Sequence, residues 1–195
     1  DLKKEVIFHS RSRTKTVYFV YSGEVMLYNL TKHGNRKVIF ILGKGQLLNQ
    51  SIVSKKPNAL FCEAACPVKV IEIAEEQFLQ LMEQSHALIR AVLREYERNL
   101  WRMGHQLKNT TGNMQMERKI AAKLWKLGRD FGVDTEDGVM IDIDLTITLM
   151  ADLVGAPREN VSRACKVLTD RGLIRYGNKR FILTDSDGLA EFYKM

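Results

Sequence analysis

Two hydrophobic periods divide the chain. From Val6 to about Ile73 the apolar and β-branched residues come in short runs, EVIFH, TVYFVYSG, EVMLYNLT, KVIFILG, ALFCEAA and VKVIEI, separated by Gly, Asn, Lys and Ser. That spacing predicts short antiparallel strands closing a small barrel or sandwich. HGN at 33–35 reads as a hairpin turn, and Gly23, Gly43 and Gly45 fall where the backbone must bend. At Glu75 the period lengthens. EEQFLQLMEQ predicts a short helix, and a longer one runs from His86 to about Lys108. In that helix Leu93, Tyr96, Leu100, Met103 and Leu107 recur at steps of 3, 4, 3 and 4. This is an a/d seam, with Arg94, Glu95, Glu97, Arg98 and Arg102 outside it. Such a seam serves either a second copy of the chain or a helix lying on its own barrel. Trp101 reads as a packing residue.

Further on, KNTTGN at 108–113 is turn chemistry and the natural hinge between domains. MERKIAAKLWKLGRDFG predicts an amphipathic helix with Ile120, Leu124 and Leu127 on one face and Gly132 just past its end. VMIDIDL reads as a strand. Thr146 is a candidate N-cap for a helix through Val154, closed by Gly155. Pro157 suits the first turn of a second helix to about Asp170, with Gly172 as its stop. LIRYGNKRFILT predicts a hairpin around Gly177–Asn178, tipped by Lys179 and Arg180. The chain is therefore expected to be of the α+β class, with domains at 1–85, 86–110 and 111–195. Two short helices joined through a glycine turn and followed by a hairpin make a winged helix-turn-helix.

The second helix of that pair carries the candidate chemistry. In GAPRENVSRACKVLTDRGLIR, Val161, Ala164, Val167 and Leu168 recur at helical spacing and are expected in the core. Arg158, Glu159, Ser162 and Arg163 share the opposite face, within two turns of the helix start. Arg can donate twice to guanine, Glu can accept from cytosine, and Ser can do either, so these residues are candidates to read bases in a major groove. Glu159 and Arg163 also stand at i,i+4, spaced to pair. Thr146, Thr148, Lys166, Lys179 and Arg180 are candidate phosphate contacts, which position a protein without reading sequence. The competing reading of the helix face is a solvated surface with one ordinary ion pair.

Charge supports a polyanionic partner. The chain of 195 residues has a net charge of +7 and a pI near 9.3. Residues 111–195 balance 13 basic against 13 acidic residues, so the excess lies in 1–110. Within 145–184, however, seven basic residues face three acidic ones. Three cysteines make no disulfide framework and suit a reducing, cytoplasmic setting. No apolar run approaches the ~18 residues that cross a bilayer, so no membrane partner is expected. The chain opens close to its first strand, which points to a further segment preceding Asp1. Catalytic residues are not apparent: there is no Gly-rich phosphate loop, no nucleophile–base constellation and no metal-ligand spacing of His, Cys and Glu. Cys62 and Cys66 could form a redox pair, although a small core residue is the simpler reading. The four histidines are isolated.

LTITLMADLVGAPRENVSRACKVLTDRGLI resembles the helix-turn-helix of the cyclic-AMP-receptor and fumarate–nitrate-regulator (Crp–Fnr) family, in its length, its L-V-G turn and its R-E-x-V-S-R core. SGEVMLYNLTKHGNRKVIFILGKGQLL is similar to that family's β-roll, and the helix over 86–108 falls where the family has its dimer helix. The resemblance implies an antiparallel, cupin-like β-roll of the cyclic-nucleotide-binding type, a long dimerisation helix and a C-terminal winged helix-turn-helix. It also implies a homodimer on a two-fold symmetric double-stranded DNA operator, with RNA polymerase as a partner. By the same resemblance, residues matching Arg158, Glu159 and Arg163 read the half-site, and Ser162 matches the fumarate–nitrate branch. The expected half-site is TGTGA- or TTGA-like. Family members that bind cyclic nucleotides cradle ribose and phosphate with a Gly-Glu-Leu segment and a later Arg-Ser/Thr pair. The matching stretches here read LNQSIV and PNALFC, so Asn49, Gln50, Ser51, Asn58 and Ala59 stand in their place. Cyclic AMP is therefore disfavoured as the effector. The effector is left as an unidentified small molecule or redox input, and Gln50, Asn58, Ala59 and Cys62 are the candidate effector-pocket residues. An alternative function is a ligand-binding regulatory module that acts through protein–protein contacts.

Overall fold

The computed structural model describes residues 5–31, 34–110 and 115–194. They form two compact units, Asp1–Leu107 and Lys108–Met195.

In the first unit the period-2 runs become strands β1 (Val6–Phe8), β2 (Thr16–Ser22), β3 (Val25–Leu30), β4 (Arg36–Leu42), β5 (Phe61–Ala64) and β6 (Lys69–Ala74). One sheet has the order β1-β5-β3-β4; β2 pairs with β6 in a second, and all pairings are antiparallel. Leu27 stands opposite both Phe40 and Cys62, and Phe8 opposite Cys62, so one face of the larger sheet is a continuous apolar layer. That register buries Cys62 completely.

Helix α1 (Glu75–Gln84) anchors through Phe78, and α2 (His86–Thr110) follows it. Val92 of α2 joins Val17, Leu47, Ile52 and Phe78 in a second core, so the helix packs on its own unit with no boundary at 85/86. Tyr96 leaves the expected seam. Its ring lies against the same core, and its hydroxyl donates to the Asn49 carbonyl at 3.3 Å. Arg102 is buried, and Gln106 donates from Nε2 to the Ile39 carbonyl at 2.8 Å. The rest of the seam faces outward: Leu93 is 53% exposed, Leu100 71%, Met103 45% and Leu107 65%. Trp101, expected to pack, is 62% exposed and contacts His105. The helix thus has an intramolecular face and a separate apolar stripe. The expected hinge at 108–113 falls partly inside α2, and its residues 111–113 lie outside the described residues, as does His33 of the HGN turn.

The second unit holds α3 (Met116–Phe131), β7 (Gly132–Thr135), β8 (Gly138–Ile141), α4 (Ile147–Val154), α5 (Arg158–Asp170), β9 (Ile174–Gly177), β10 (Arg180–Leu183) and α6 (Ser186–Lys194). Its sheet has the order β7-β8-β10-β9. Ile120, Leu124 and Leu127 are buried on α3 as their spacing predicts. VMIDIDL is only half a strand. Ile143 and Leu145 stay buried and Asp142 and Asp144 exposed, so the alternation continues beyond the end of β8. Helix α6, which the sequence reading did not include, starts at an Asp185 turn and packs on α3 through Leu189 and Ala190.

Candidate nucleic-acid interface

Helix α4 begins where Thr146 Oγ1 accepts the Leu149 N–H at 3.0 Å, a side-chain cap for a helix-terminal donor. One residue earlier, the Leu145 N–H donates to the Lys179 carbonyl at 2.7 Å. That bond ties the start of α4 to the tip of the hairpin. The helix ends at Gly155, whose φ of +69° lets its N–H return to the Ala151 carbonyl at 2.8 Å. Open space surrounds the position a Cβ would take there, so the left-handed backbone, not crowding, calls for glycine.

Helix α5 follows, with Pro157 at its cap position. Val161, Ala164, Cys165 and Leu168 are buried. Cys165 takes the core place expected of Val167, which is 36% exposed and lines an open groove of about 500 Å³ with Arg171 and Phe192. Burial pushes the Cys165 thiol up to about 11. Arg158, Glu159, Ser162, Arg163 and Lys166 are all exposed on the opposite side. The expected Glu159–Arg163 pair does not form. Arg163 donates instead to Asn160 Oδ1, one helical turn back, a partner the sequence reading missed although i,i+3 spacing allows it. Arg158, Glu159, Ser162 and Lys166 make no side-chain hydrogen bond or ion pair among the described residues, so their donors and acceptors face solvent unspent.

The hairpin is one residue out of the expected place. Arg180 pairs with Gly177, so the two-residue turn is Asn178–Lys179, with φ of 49° and 59°. Two left-handed residues in succession mark a type I′ turn, whose twist matches the flanking strands. Lys179 and Thr148 are exposed, whereas Thr146 is half-buried at its cap. Arg180, expected as a phosphate contact, is engaged by Asp142 at 2.7 Å and Asp144 at 3.4 Å. The two carboxylates that follow β8 hold that guanidinium against the unit.

Two family models together span most of the chain. A Crp-like helix-turn-helix domain matches residues 118–192, and a cyclic nucleotide-binding domain matches residues 2–85. The chain belongs to the Crp–Fnr family. It is a transcription regulator with a DNA-binding helix-turn-helix and an effector-binding domain, and not an enzyme. A CRP-like cAMP-activated global transcriptional regulator of Mycobacterium tuberculosis is 25% identical over 175 residues, covering 89% of this chain and 78% of the relative. A global nitrogen regulator of Nostoc is 24% identical over 181 residues, covering 91% and 81%. Among solved structures, FixK2 from Bradyrhizobium japonicum superposes with a TM-score of 0.82 at 21% identity, covering 97% of this chain and 93% of that one.

A Crp–Fnr β-roll of the cyclic-nucleotide type implies a nucleotide, but the residues in this cradle do not fit one. Asn58 is buried, and both its side-chain and backbone N–H groups donate to the Ser12 carbonyl, at 3.1 and 2.9 Å. A neutral amide already committed to the backbone replaces the cation that a buried phosphate needs. Asn49 is likewise buried. It accepts the Tyr18 N–H at 2.8 Å and donates to the Thr16 carbonyl at 2.9 Å. Gln50 accepts the Ala59 and Leu60 N–H groups at 3.1 and 3.2 Å. Ala59 is exposed, and Cys62 points away into the apolar core, where burial raises its thiol pKa. Gln50, Asn58 and Ala59 are thus brought together, whereas Cys62 is on the core side. Cys66 makes a different contact, its sulfur 2.9 Å from a Glu24 carboxylate oxygen.

Proposed function

We propose that this Crp–Fnr regulator acts in the cytoplasm as a homodimer on a palindromic operator with TGTGA- or TTGA-like half-sites. Arg158, Glu159, Ser162 and Arg163 read bases, and Thr148, Lys166 and Lys179 contact phosphates. Leu93, Leu100, Met103 and Leu107 supply the dimer seam, since Leu93, Leu100 and Leu107 repeat every seven residues along one exposed line of α2. The effector is something other than cyclic AMP, and RNA polymerase is the partner on promoter DNA.

The observation that carries this reading is the outward face of α5. It keeps charged and hydroxyl groups uncommitted on a helix whose other side is sealed into the core. Titrating the purified chain against a palindromic duplex, with half-sites about one helical turn apart, tests it. Retardation that weakens steeply with salt is expected. Absence of retardation at low salt would favour a module working through protein contacts. In the same preparation, Leu100→Asp should shift the sedimenting species from dimer to monomer.

A further inference from the structure

Gln50 makes three side-chain bonds across the stretch that corresponds to a nucleotide cradle. Its Oε1 accepts from two consecutive backbone N–H groups, those of Ala59 and Leu60, and its Nε2 donates to the Leu48 carbonyl at 3.0 Å. Two successive N–H groups converging on one oxygen are the arrangement a backbone offers to an anion. Here the oxygen belongs to the chain itself. Ser51, Ser54 and Asn58 of the loop are committed as well. Ser51 Oγ accepts the Lys56 N–H and bonds Ser54 Oγ, while Asn58 fastens the loop's far end to Ser12 and to the Arg11 N–H.

We infer that Gln50 is an internal ligand of the β-roll: its amide oxygen fills the anion position and clamps residues 48–50 to residues 59–60. A phosphate-bearing molecule has to displace two internal hydrogen bonds there, and it receives no cation from position 58 in return. Loss of hydration without a compensating charge pair is unfavourable for an anion. The cradle is therefore closed in the ligand-free chain, and cyclic nucleotides and free phosphate do not compete for its donors. This rests on reading the β-roll as the regulatory domain, but its test does not depend on DNA binding.

The test is calorimetric titration of cyclic AMP, and separately of inorganic phosphate, into the full wild-type chain. It is combined with amide hydrogen exchange at Ala59 and Leu60. No saturable heat is expected from either probe. The two amides should be protected in the wild type, exchange roughly tenfold faster in Gln50→Ala, and remain protected in Gln50→Glu, which keeps an acceptor in place. Saturable binding of cyclic AMP to the wild type overturns the inference, and so does unchanged exchange at both amides in Gln50→Ala. If Gln50→Ala proves unstable, the wild-type titration and the Gln50→Glu exchange decide alone. Failure to retard DNA bears on the proposed function and leaves these readouts untouched.

Discussion

The outward face of α5 and the loop after β4 are both rich in polar side chains, and the structure treats them in opposite ways. On α5, Arg158, Glu159, Ser162 and Lys166 are exposed, with hydrogen-bonding groups directed to solvent. In the first unit, Asn49 and Asn58 are buried, and Gln50 is half-buried with both ends of its amide bonded to backbone groups. A cluster of polar residues is a binding surface only where its donors and acceptors are unspent. Where they are spent, they hold the fold.

The largest effect is expected at Asn49. Replacing it with alanine strands the Tyr18 N–H and leaves the Thr16 carbonyl with the Thr14 hydroxyl alone as side-chain donor, and should cost about 3 kcal/mol in chemical denaturation while leaving the DNA face intact. A loss below experimental error would show that the amide's bonds are dispensable. On α5 the expectation reverses. Arg163→Ala should fold as well as the wild type yet lose about 1–3 kcal/mol of affinity for a cognate duplex, read by fluorescence anisotropy.

Thr146 is of the spent kind although it lies beside the DNA face: its hydroxyl caps α4, one residue from the contact with the hairpin tip. Thr146→Ala should destabilise by about 1 kcal/mol in thermal unfolding. Smallest is Lys179→Ala. It should weaken all duplexes alike and lower the salt slope by about 1, while leaving unfolding unchanged apart from the strain of a left-handed residue.

Element type was legible wherever a period ran long enough. The strands of the β-roll, α1, α3 and the α4–turn–α5 unit all follow from spacing and caps. What spacing leaves open is which of two available partners a side chain takes. Tyr96 and Leu100 both fit a seven-residue repeat, yet Tyr96 is held by Asn49 and the core, and Leu100 is left outside. Arg163 has Glu159 four residues back and Asn160 three residues back, and it bonds to the amide. Glu159 is thereby left free to accept from a base. The sequence offers Arg180 as a phosphate contact because Asp142 and Asp144, nearly forty residues earlier, become its neighbours only when β8 and β10 pair. The two-residue turn falls at Asn178–Lys179, one position past the Gly177–Asn178 that glycine suggests, because Asn tolerates the left-handed region as well.

The central claim, that α5 reads bases through its uncommitted face, is tested most directly by single-base competition. Wild type and Arg163→Ala are each titrated against one palindromic duplex and its full set of symmetric single-base variants. Arg163→Ala is expected to lose its preference at one position in each half-site and to keep the preferences elsewhere. An unchanged profile at every position would contradict it.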